Sequence, residues 1–202
     1  MRKEKELELE SLRKKNIYIS KREMDIEDGK KKFVNVRKYE FEYEDGKKQI
    51  REVIGKHGGV GDAASIISIT KEGIVTLIVQ PRPSTDSKVL MELPAGYIDP
   101  NEEPILAAKR ELLEETGLDA NVENITYIGW YYQDTGISNA KIHLFIAKNC
   151  IDTGKQKLDA DEIISIFKCN LDELFELYDR GEFKGASSQI LIPRVRELYE
   201  RK

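Results

Sequence analysis

The chain has 202 residues, of which 40% are hydrophobic and 35% are charged, and its formal net charge is −4. This length suits one domain, or a small domain with an added arm, and the composition is that of a globular protein. The acidic balance argues against a protein that coats nucleic acid, but it allows a local basic pocket for a phosphorylated small molecule. Two cysteines are too few for a secreted disulfide scaffold, so a reduced, cytoplasmic setting is expected.

The sequence predicts no membrane insertion and no zinc site. Its N-terminus is too charged for a signal peptide, and no apolar run approaches the roughly 18 residues needed to cross a bilayer. The two histidines and two cysteines lack the paired spacing of zinc ligands, so we expect them to be packing or surface residues.

Residues 1–57 are predicted to form a helix and then a small antiparallel β segment. Residues 1–15 favour a helix by propensity but have few apolar positions, so a solvated or frayed helix is expected. From Ile17 to about Lys56, runs of alternating β-branched and aromatic residues are separated by Asp-Gly-Lys turns at 28–30 and 45–47. Glycines after His57 predict a hinge into a main domain of residues 58–202.

The main domain is predicted to begin with two buried strands. They start near Asp62 and are joined by a turn at 71–73. Pro81 and Pro83 are expected to end the second strand, because proline cannot donate to a strand ladder.

A central helix with a cluster of acids follows. Pro104 suits its first turn, and Gly117 suits the left-handed position just past its end. Glu111 lies three and four residues before Glu114 and Glu115, so all three acids are close on the helix surface. Like charges at this spacing are unfavourable, and near a helix C-terminus the dipole disfavours them further. A hard divalent cation bound by carboxylate oxygens would relieve both penalties.

The second half of the chain is predicted to contain two long strands around a loop at 135–139, then another strand and two terminal helices. Trp130, Tyr131 and Tyr132 are expected to pack on the sheet rather than to form a nucleobase platform. The last helix is expected to be interrupted or restarted at Pro193. The order of elements predicts an α+β fold, an α/β/α sandwich with a mixed sheet, and not a Rossmann domain.

The stretch Gly96–Leu118 resembles the Nudix box at every fixed position, a match far more specific than a short glycine motif. The matching residues are Gly96, Glu102, Arg110, Glu111, Leu112, Glu114, Glu115, Gly117 and Leu118. The resemblance implies metal-assisted hydrolysis of a phosphoanhydride, with Mg²⁺ or Mn²⁺ as the cation.

By position, the same resemblance implies a role for each residue of the site. Glu111 and Glu115 match the principal metal-binding acids, Glu114 is a variable third, and the Ala95 carbonyl matches a backbone metal ligand. Arg110 and Glu102 match the residues that orient the acids. The alternative for Arg110 is a surface ion pair.

A narrower resemblance, to the ADP-ribose pyrophosphatase branch, extends from about Ile17 to the C-terminus. It implies a nucleoside diphosphate sugar as substrate and a homodimer that exchanges the N-terminal β segment. Arg82 resembles a family arginine that contacts the diphosphate or terminal sugar, and Glu162 a late glutamate that acts as base or completes the metal site. The alternatives are a solvent-exposed charge for Arg82 and a solvent-facing acidic turn for Glu162.

Two departures from the branch put ADP-ribose itself in doubt. The loop from Thr135 to Ala140, with Ser138 as a substrate-binding candidate, lacks the proline and the final acid of the family pattern. Arg51 stands where some relatives carry a tryptophan that stacks on adenine, although arginine can stack on a base too. GDP-mannose or UDP-glucose therefore remains a candidate. Hydrolysis of a nucleoside triphosphate, dinucleoside polyphosphate or RNA cap is an alternative, and so is nucleotide sensing without hydrolysis.

Overall fold

A computed structural model describes residues 1, 3–18, 33–56, 59–160 and 162–200. Three predicted features lie outside the described residues. They are the turn at 28–30, the end of the first β run, which starts at Ile17, and the hinge residues His57 and Gly58. None of the helices in the described part is long and apolar enough to span a membrane.

The described part contains four α-helices, ten strands and a short 3-10 helix (Val122–Asn124). The helices are α1 (Lys3–Asn16), α2 (Pro104–Thr116), α3 (Leu171–Asp179) and α4 (Ala186–Glu200). The strands are β1 (Val34–Glu42), β2 (Lys48–Lys56), β3 (Ala63–Thr70), β4 (Ile74–Arg82), β5 (Lys88–Glu92), β6 (Ala95–Tyr97), β7 (Leu118–Asp119), β8 (Ile125–Tyr132), β9 (Lys141–Asp152) and β10 (Ser165–Asn170).

Eight strands form one mixed sheet in the order β10, β4, β3, β9, β7, with β5 paired to β4, β6 to β3 and β8 to β9. Strands β3 and β9 are parallel, whereas β4 and β6 are antiparallel to β3. Alternate residues of β3 therefore face opposite layers: Ile66 packs with α2, and Ile67 packs with the terminal helices. The predicted sandwich with a mixed sheet is confirmed.

The layer opposite α2 contains α1 as well as α3 and α4. Leu9 of α1 is 3% exposed within the same core as Leu174 and Leu191. The terminal amino group of Met1 pairs with Glu176 of α3, and Arg13 pairs with Glu182 at 2.8 Å. The expectation of a solvated or frayed helix is therefore wrong. The few apolar residues of α1 gave only a weak sequence pattern, yet Leu9, with Leu12 and Met1 packed around it, is enough to dock the helix on the core.

Two of the three prolines expected to end or interrupt an element, Pro81 and Pro193, lie inside one, whereas β4 ends at Arg82, directly before Pro83, as expected. Strand β4 continues through Pro81, which pairs with Val89 of β5. On its other side β4 pairs with β10 only as far as Val79, so Pro81 has a neighbouring strand on one side only, where proline is tolerated. Helix α4 runs through Pro193 without a break. The prediction at both positions was wrong because a proline removes a single hydrogen bond that neighbouring packing can offset.

The aromatic residues of β8 divide between the two faces of the strand. Tyr131 packs against the core, as expected. Trp130 and Tyr132 are 45% and 43% exposed, so sheet packing is wrong for these two. Their rings meet edge to face at 4.8 Å, and the Lys141 Nζ lies 4.9 Å from the centre of the Trp130 ring.

Strands β1 and β2 form a separate antiparallel hairpin with Tyr39 opposite Arg51, which confirms the small N-terminal sheet. The base of the hairpin contacts the main domain, because the Ile54 N–H donates to the Ile137 carbonyl at 2.7 Å. Phe33, just before β1, meets the ring of Tyr97 edge to face at 5.6 Å. The hairpin is therefore attached at its base and pairs with no strand of the main sheet in the described chain.

Candidate active site

Helix α2 supplies the acids of the site, and its ends are those that the sequence predicts. Pro104 is the first helical residue, and Gly117 closes the helix at φ 72° with its N–H bonded to the Leu113 carbonyl. Leu112 is fully buried against the sheet. Because Glu111 and Glu115 flank this seam, both carboxylates are buried, at 8% and 2% exposure.

Strand β6 places two backbone positions against these acids. It pairs with β3 through Ser65 and Ala95, so its backbone is fixed by the main sheet. The Ala95 N–H donates to Glu115 Oε2 at 2.9 Å. A Cβ on Gly96 would overlap the carboxylate of Glu111, so only glycine leaves room for that side chain.

Arg110 connects the loop before α2 to the acids on it. Its Nε and Nη2 donate to the two oxygens of Glu102, both at 2.9 Å, and Nη2 also donates to the Tyr97 carbonyl at 2.9 Å. Its Nη1 donates to Glu111 at 2.6 Å and to Glu114 at 3.2 Å. This bidentate, shared geometry is typical of a structural clamp rather than of a surface ion pair.

The electrostatics divide the acids into two groups. Burial raises the pKa of Glu111, and the charges of Glu114 and Glu162 raise it further, against hydrogen bonds from Arg110. Burial raises the pKa of Glu115 well above its ordinary value, while the Ala95 N–H and the charge of Arg82 oppose this effect. Hydrogen bonds from Arg110 lower the pKa of Glu102. Glu102 is thus stabilised as an anion, whereas Glu111 and Glu115 are incompletely compensated.

Two predicted residues from distant parts of the chain act electrostatically on this cluster. The negative charge of Glu162 contributes to raising the pKa of both Glu111 and Glu115. Its Oε2 also accepts from the Asp159 N–H at 2.9 Å, so the acidic turn holds the side chain. Arg82 alternates along β4 with Leu77 and Val79, which face the core of the terminal helices, so its side chain lies on the sheet face that α2 covers, and its positive charge opposes the rise in the pKa of Glu115.

The other two candidates, Arg51 and Ser138, lie at the hairpin. Arg51 is exposed on β2, opposite Tyr39. The Ser138 hydroxyl donates to the Ile54 carbonyl at 3.4 Å and accepts from the Ala140 N–H at 3.2 Å. Ser138 thus joins the loop to the hairpin base, and neither residue is bonded to an acid of α2 in the described part.

The chemistry of the acids fits a hard divalent cation. Two buried carboxylates with raised pKa values carry negative charge that the protein only partly compensates, and carboxylate oxygens are the ligands that Mg²⁺ and Mn²⁺ prefer. Over the described ranges, no three His, Cys, Asp or Glu side chains already stand together as an ion's ligands. Protein donors hold the acids instead, through Arg110 at Glu111 and Ala95 at Glu115. The fit to a cation therefore rests on charge and donor type.

Sequence reasoning missed two contributors to the site. The Tyr97 carbonyl accepts from Arg110, but any residue there would present a carbonyl, so the sequence held no signal for it. Glu92 accepts from Arg82 Nε at 2.7 Å. An acid ending the apolar run Val89–Met91 was a signal that could have pointed to it.

Comparison with known proteins gives one family. The NUDIX domain model matches residues 60–188. An ADP-ribose pyrophosphatase of Bacillus subtilis (strain 168) is 31% identical over 143 residues, which cover 70% of this chain and 74% of that protein. A methanol dehydrogenase activator of Bacillus methanolicus is 32% identical over 127 residues, which cover 62% of this chain and 65% of that protein.

A mouse ADP-sugar pyrophosphatase is 37% identical over a shorter stretch of 93 residues, covering 44% of this chain and 41% of that protein. Among solved structures, one described as the crystal structure of an ADP compounds hydrolase superposes with a TM-score of 0.71. It covers 85% of this chain and 89% of the other at 22% identity, so this similarity concerns the fold.

Proposed function

This chain belongs to the Nudix hydrolase family and is a pyrophosphohydrolase, and we propose that it hydrolyses the diphosphate linkage of a nucleoside diphosphate sugar with Mg²⁺. Mn²⁺ is the expected substitute. The observation that carries the proposal is the pair of buried, incompletely compensated carboxylates, Glu111 and Glu115, on the sheet face to which Arg82 also belongs. The similarity to proteins named ADP-ribose and ADP-sugar pyrophosphatases supports the substrate class.

In this proposal the acids of α2 hold the cation, together with the Ala95 carbonyl. When bound, the cation neutralises diphosphate charge and lowers the pKa of an attacking water. Arg110 and Glu102 fix the positions of Glu111 and Glu114 before substrate arrives, which lowers the cost of ordering the site.

Hydrolysis needs a base and an anion-binding group besides these acids. We assign the base to Glu162. Its carboxylate takes a proton from the water while the water oxygen attacks one phosphorus atom, and the bond from that phosphorus to the bridging oxygen breaks. Arg82 binds the diphosphate, because a guanidinium matches phosphate oxygens in geometry and charge. The products are a nucleoside monophosphate and a sugar phosphate.

We further propose a homodimer in which the hairpin β1–β2 acts as an arm on the domain of residues 58–202, while α1 stays docked on that domain. An isolated two-stranded hairpin is only marginally stable in water. Here the hairpin exposes large apolar side chains: Phe33, Val34, Val36, Tyr39, Phe41, Tyr43 and Ile50. A second copy of the chain that covered them would stabilise the hairpin. Arg51, on the same hairpin, and Ser138, at its base, would then contribute to substrate binding near the subunit interface.

A panel of nucleoside diphosphate sugars tests the activity. With Mg²⁺, the wild type is expected to release two phosphomonoesters from at least one of ADP-ribose, GDP-mannose and UDP-glucose. Glu115→Gln should lose most of this activity. Glu103→Gln is the matched control, because Glu103 precedes the same helix and its side chain makes no capping bond.

Three results would contradict the proposal: no hydrolysis of any panel member, wild-type activity in Glu115→Gln, or calorimetric binding without product. Release of pyrophosphate from a nucleoside triphosphate would favour the triphosphate alternative instead.

A further inference from the structure

Glu92 forms an ion pair with Arg82 outside the acid cluster of α2. Its Oε2 accepts from Arg82 Nε at 2.7 Å and from Gln80 Nε2 at 3.1 Å. The side chain of Glu92 is 17% exposed, and that of Arg82 is 43% exposed. The carboxylate is therefore largely withdrawn from water, while the guanidinium extends from it towards solvent.

Strand register builds this arrangement. Gln80 and Arg82 are two residues apart on β4, so their side chains lie on one face. Glu92 of β5 pairs with Ile78, which belongs to the same face. The three polar groups therefore meet on two hydrogen-bonded strands, and the contact is fixed more rigidly than it would be in a loop.

The bond at Nε decides which edge of the guanidinium is available. An arginine held at Nε can still offer Nη1 and Nη2, and two such donors match the oxygens of a phosphate. Within the described residues, neither Nη atom of Arg82 makes a hydrogen bond. Leu77 and Val79 of β4 face the core of the terminal helices, so the alternate residue Arg82 lies on the sheet face that α2 covers, the side of the acid cluster.

We propose that Glu92 is a positioning residue, which holds Arg82 by Nε and so directs its Nη edge at the diphosphate of the substrate. This inference rests on the proposed function. A half-buried ion pair contributes little net stability, because desolvation offsets the attraction. We therefore expect Glu92 to contribute more by orienting Arg82 than by stabilising the fold. Glu92 itself does not touch the substrate.

The test is a double-mutant cycle between the two residues, measured with ADP-ribose. Glu92→Ala should raise KM about tenfold and change kcat less, because the lost geometry affects diphosphate binding. The affinity for ADP-ribose in EDTA, measured by calorimetry, should fall by a similar factor. In an Arg82→Ala background, Glu92→Ala should have no further effect on KM or on this affinity.

Two further variants complete the design. Glu92→Gln keeps an oxygen for Arg82 Nε and should restore part of the affinity, and it replaces Glu92→Ala if that variant does not fold. Asp152→Ala is the matched control, since Asp152 forms a comparable pair with Lys168 at 2.6 Å on β9 and β10. It should leave KM unchanged.

The outcomes separate this inference from the proposed function. If the wild type neither binds nor hydrolyses any nucleoside diphosphate sugar, the proposed function fails. If the wild type hydrolyses ADP-ribose, either of two results overturns the positioning role. In one, Glu92→Ala leaves KM unchanged. In the other, Glu92→Ala raises KM by the same factor in the Arg82→Ala background as in the wild type.

Discussion

Gly96 lies directly against the carboxylate of Glu111, in space that any side chain would occupy. Strand β6 is held to β3 by its backbone, so a Cβ on Gly96 would push the Glu111 carboxylate, the end of a flexible side chain, away from its hydrogen bond with Arg110. The Glu111 carboxylate therefore fits in this position because Gly96, which faces it from β6, has no side chain.

We expect Gly96→Ala to displace the Glu111 carboxylate and to lower kcat/KM by about 100-fold or more, because a displacement of about 1 Å at a catalytic group has that scale of effect. Gly59→Ala is the control, since a Cβ there meets nothing within 4 Å. Steady-state kinetics with the preferred nucleotide sugar would measure both. Wild-type activity in Gly96→Ala would show that the close approach is unimportant.

Glu115→Gln should stabilise the protein when no divalent cation is present. The folded-state pKa of Glu115 is raised above its ordinary value of 4.5, so the folded protein binds that proton more tightly than the unfolded chain. The stability of the wild type relative to the variant is therefore greatest below pH 4.5. It is lost as pH rises through the folded-state pKa.

Thermal melting in EDTA from acid to alkaline pH would measure this difference, at about 2–4 °C for each kcal/mol. Adding Mg²⁺ should raise the melting temperature of the wild type and not that of the variant. Equal Mg²⁺ stabilisation of both proteins would contradict a role for Glu115 in cation binding.

Glu102→Gln should have the opposite pH dependence. Arg110 holds the pKa of Glu102 below its ordinary value, so Glu102 contributes stability above that value and loses it as pH falls through the folded-state pKa. At neutral pH the variant should be less stable by about 1–2 kcal/mol, because charge-assisted hydrogen bonds are broken at a partly exposed site. Urea unfolding at pH 7 and at pH 3 would measure the difference, which should shrink in acid. A constant difference would exclude the ion pair as its source.

The proposed homodimer predicts the effect of a charge on the hairpin. Phe41 is 44% exposed in one chain, so Phe41→Glu places a carboxylate where the proposed partner would cover an apolar side chain, and it should weaken association strongly. Light scattering at micromolar concentration should give a dimer mass for the wild type and a monomer mass for the variant. Glu42→Gln, one residue further along the same strand, should remain dimeric. A monomeric wild type would contradict the proposal.

The amino-acid sequence by itself determined the parts of the site that depend on neighbours along the chain. The ends of α2 at Pro104 and Gly117, and the closeness of Glu111 to Glu114 and Glu115, follow from helix geometry alone. The mixed sheet and the N-terminal hairpin also follow from the order and alternation of the elements.

Contacts between distant residues were decided only by the tertiary structure. The docking of Leu9, the exposure of Trp130 and the pairing of Arg82 with Glu92 depend on which strands and helices become neighbours. The room that Gly96 leaves for Glu111 depends on the pairing of β6 with β3, a strand pairing that the sequence analysis did not predict. Periodicity encodes which face of an element is apolar, whereas the partner of that face is chosen by packing across the whole chain.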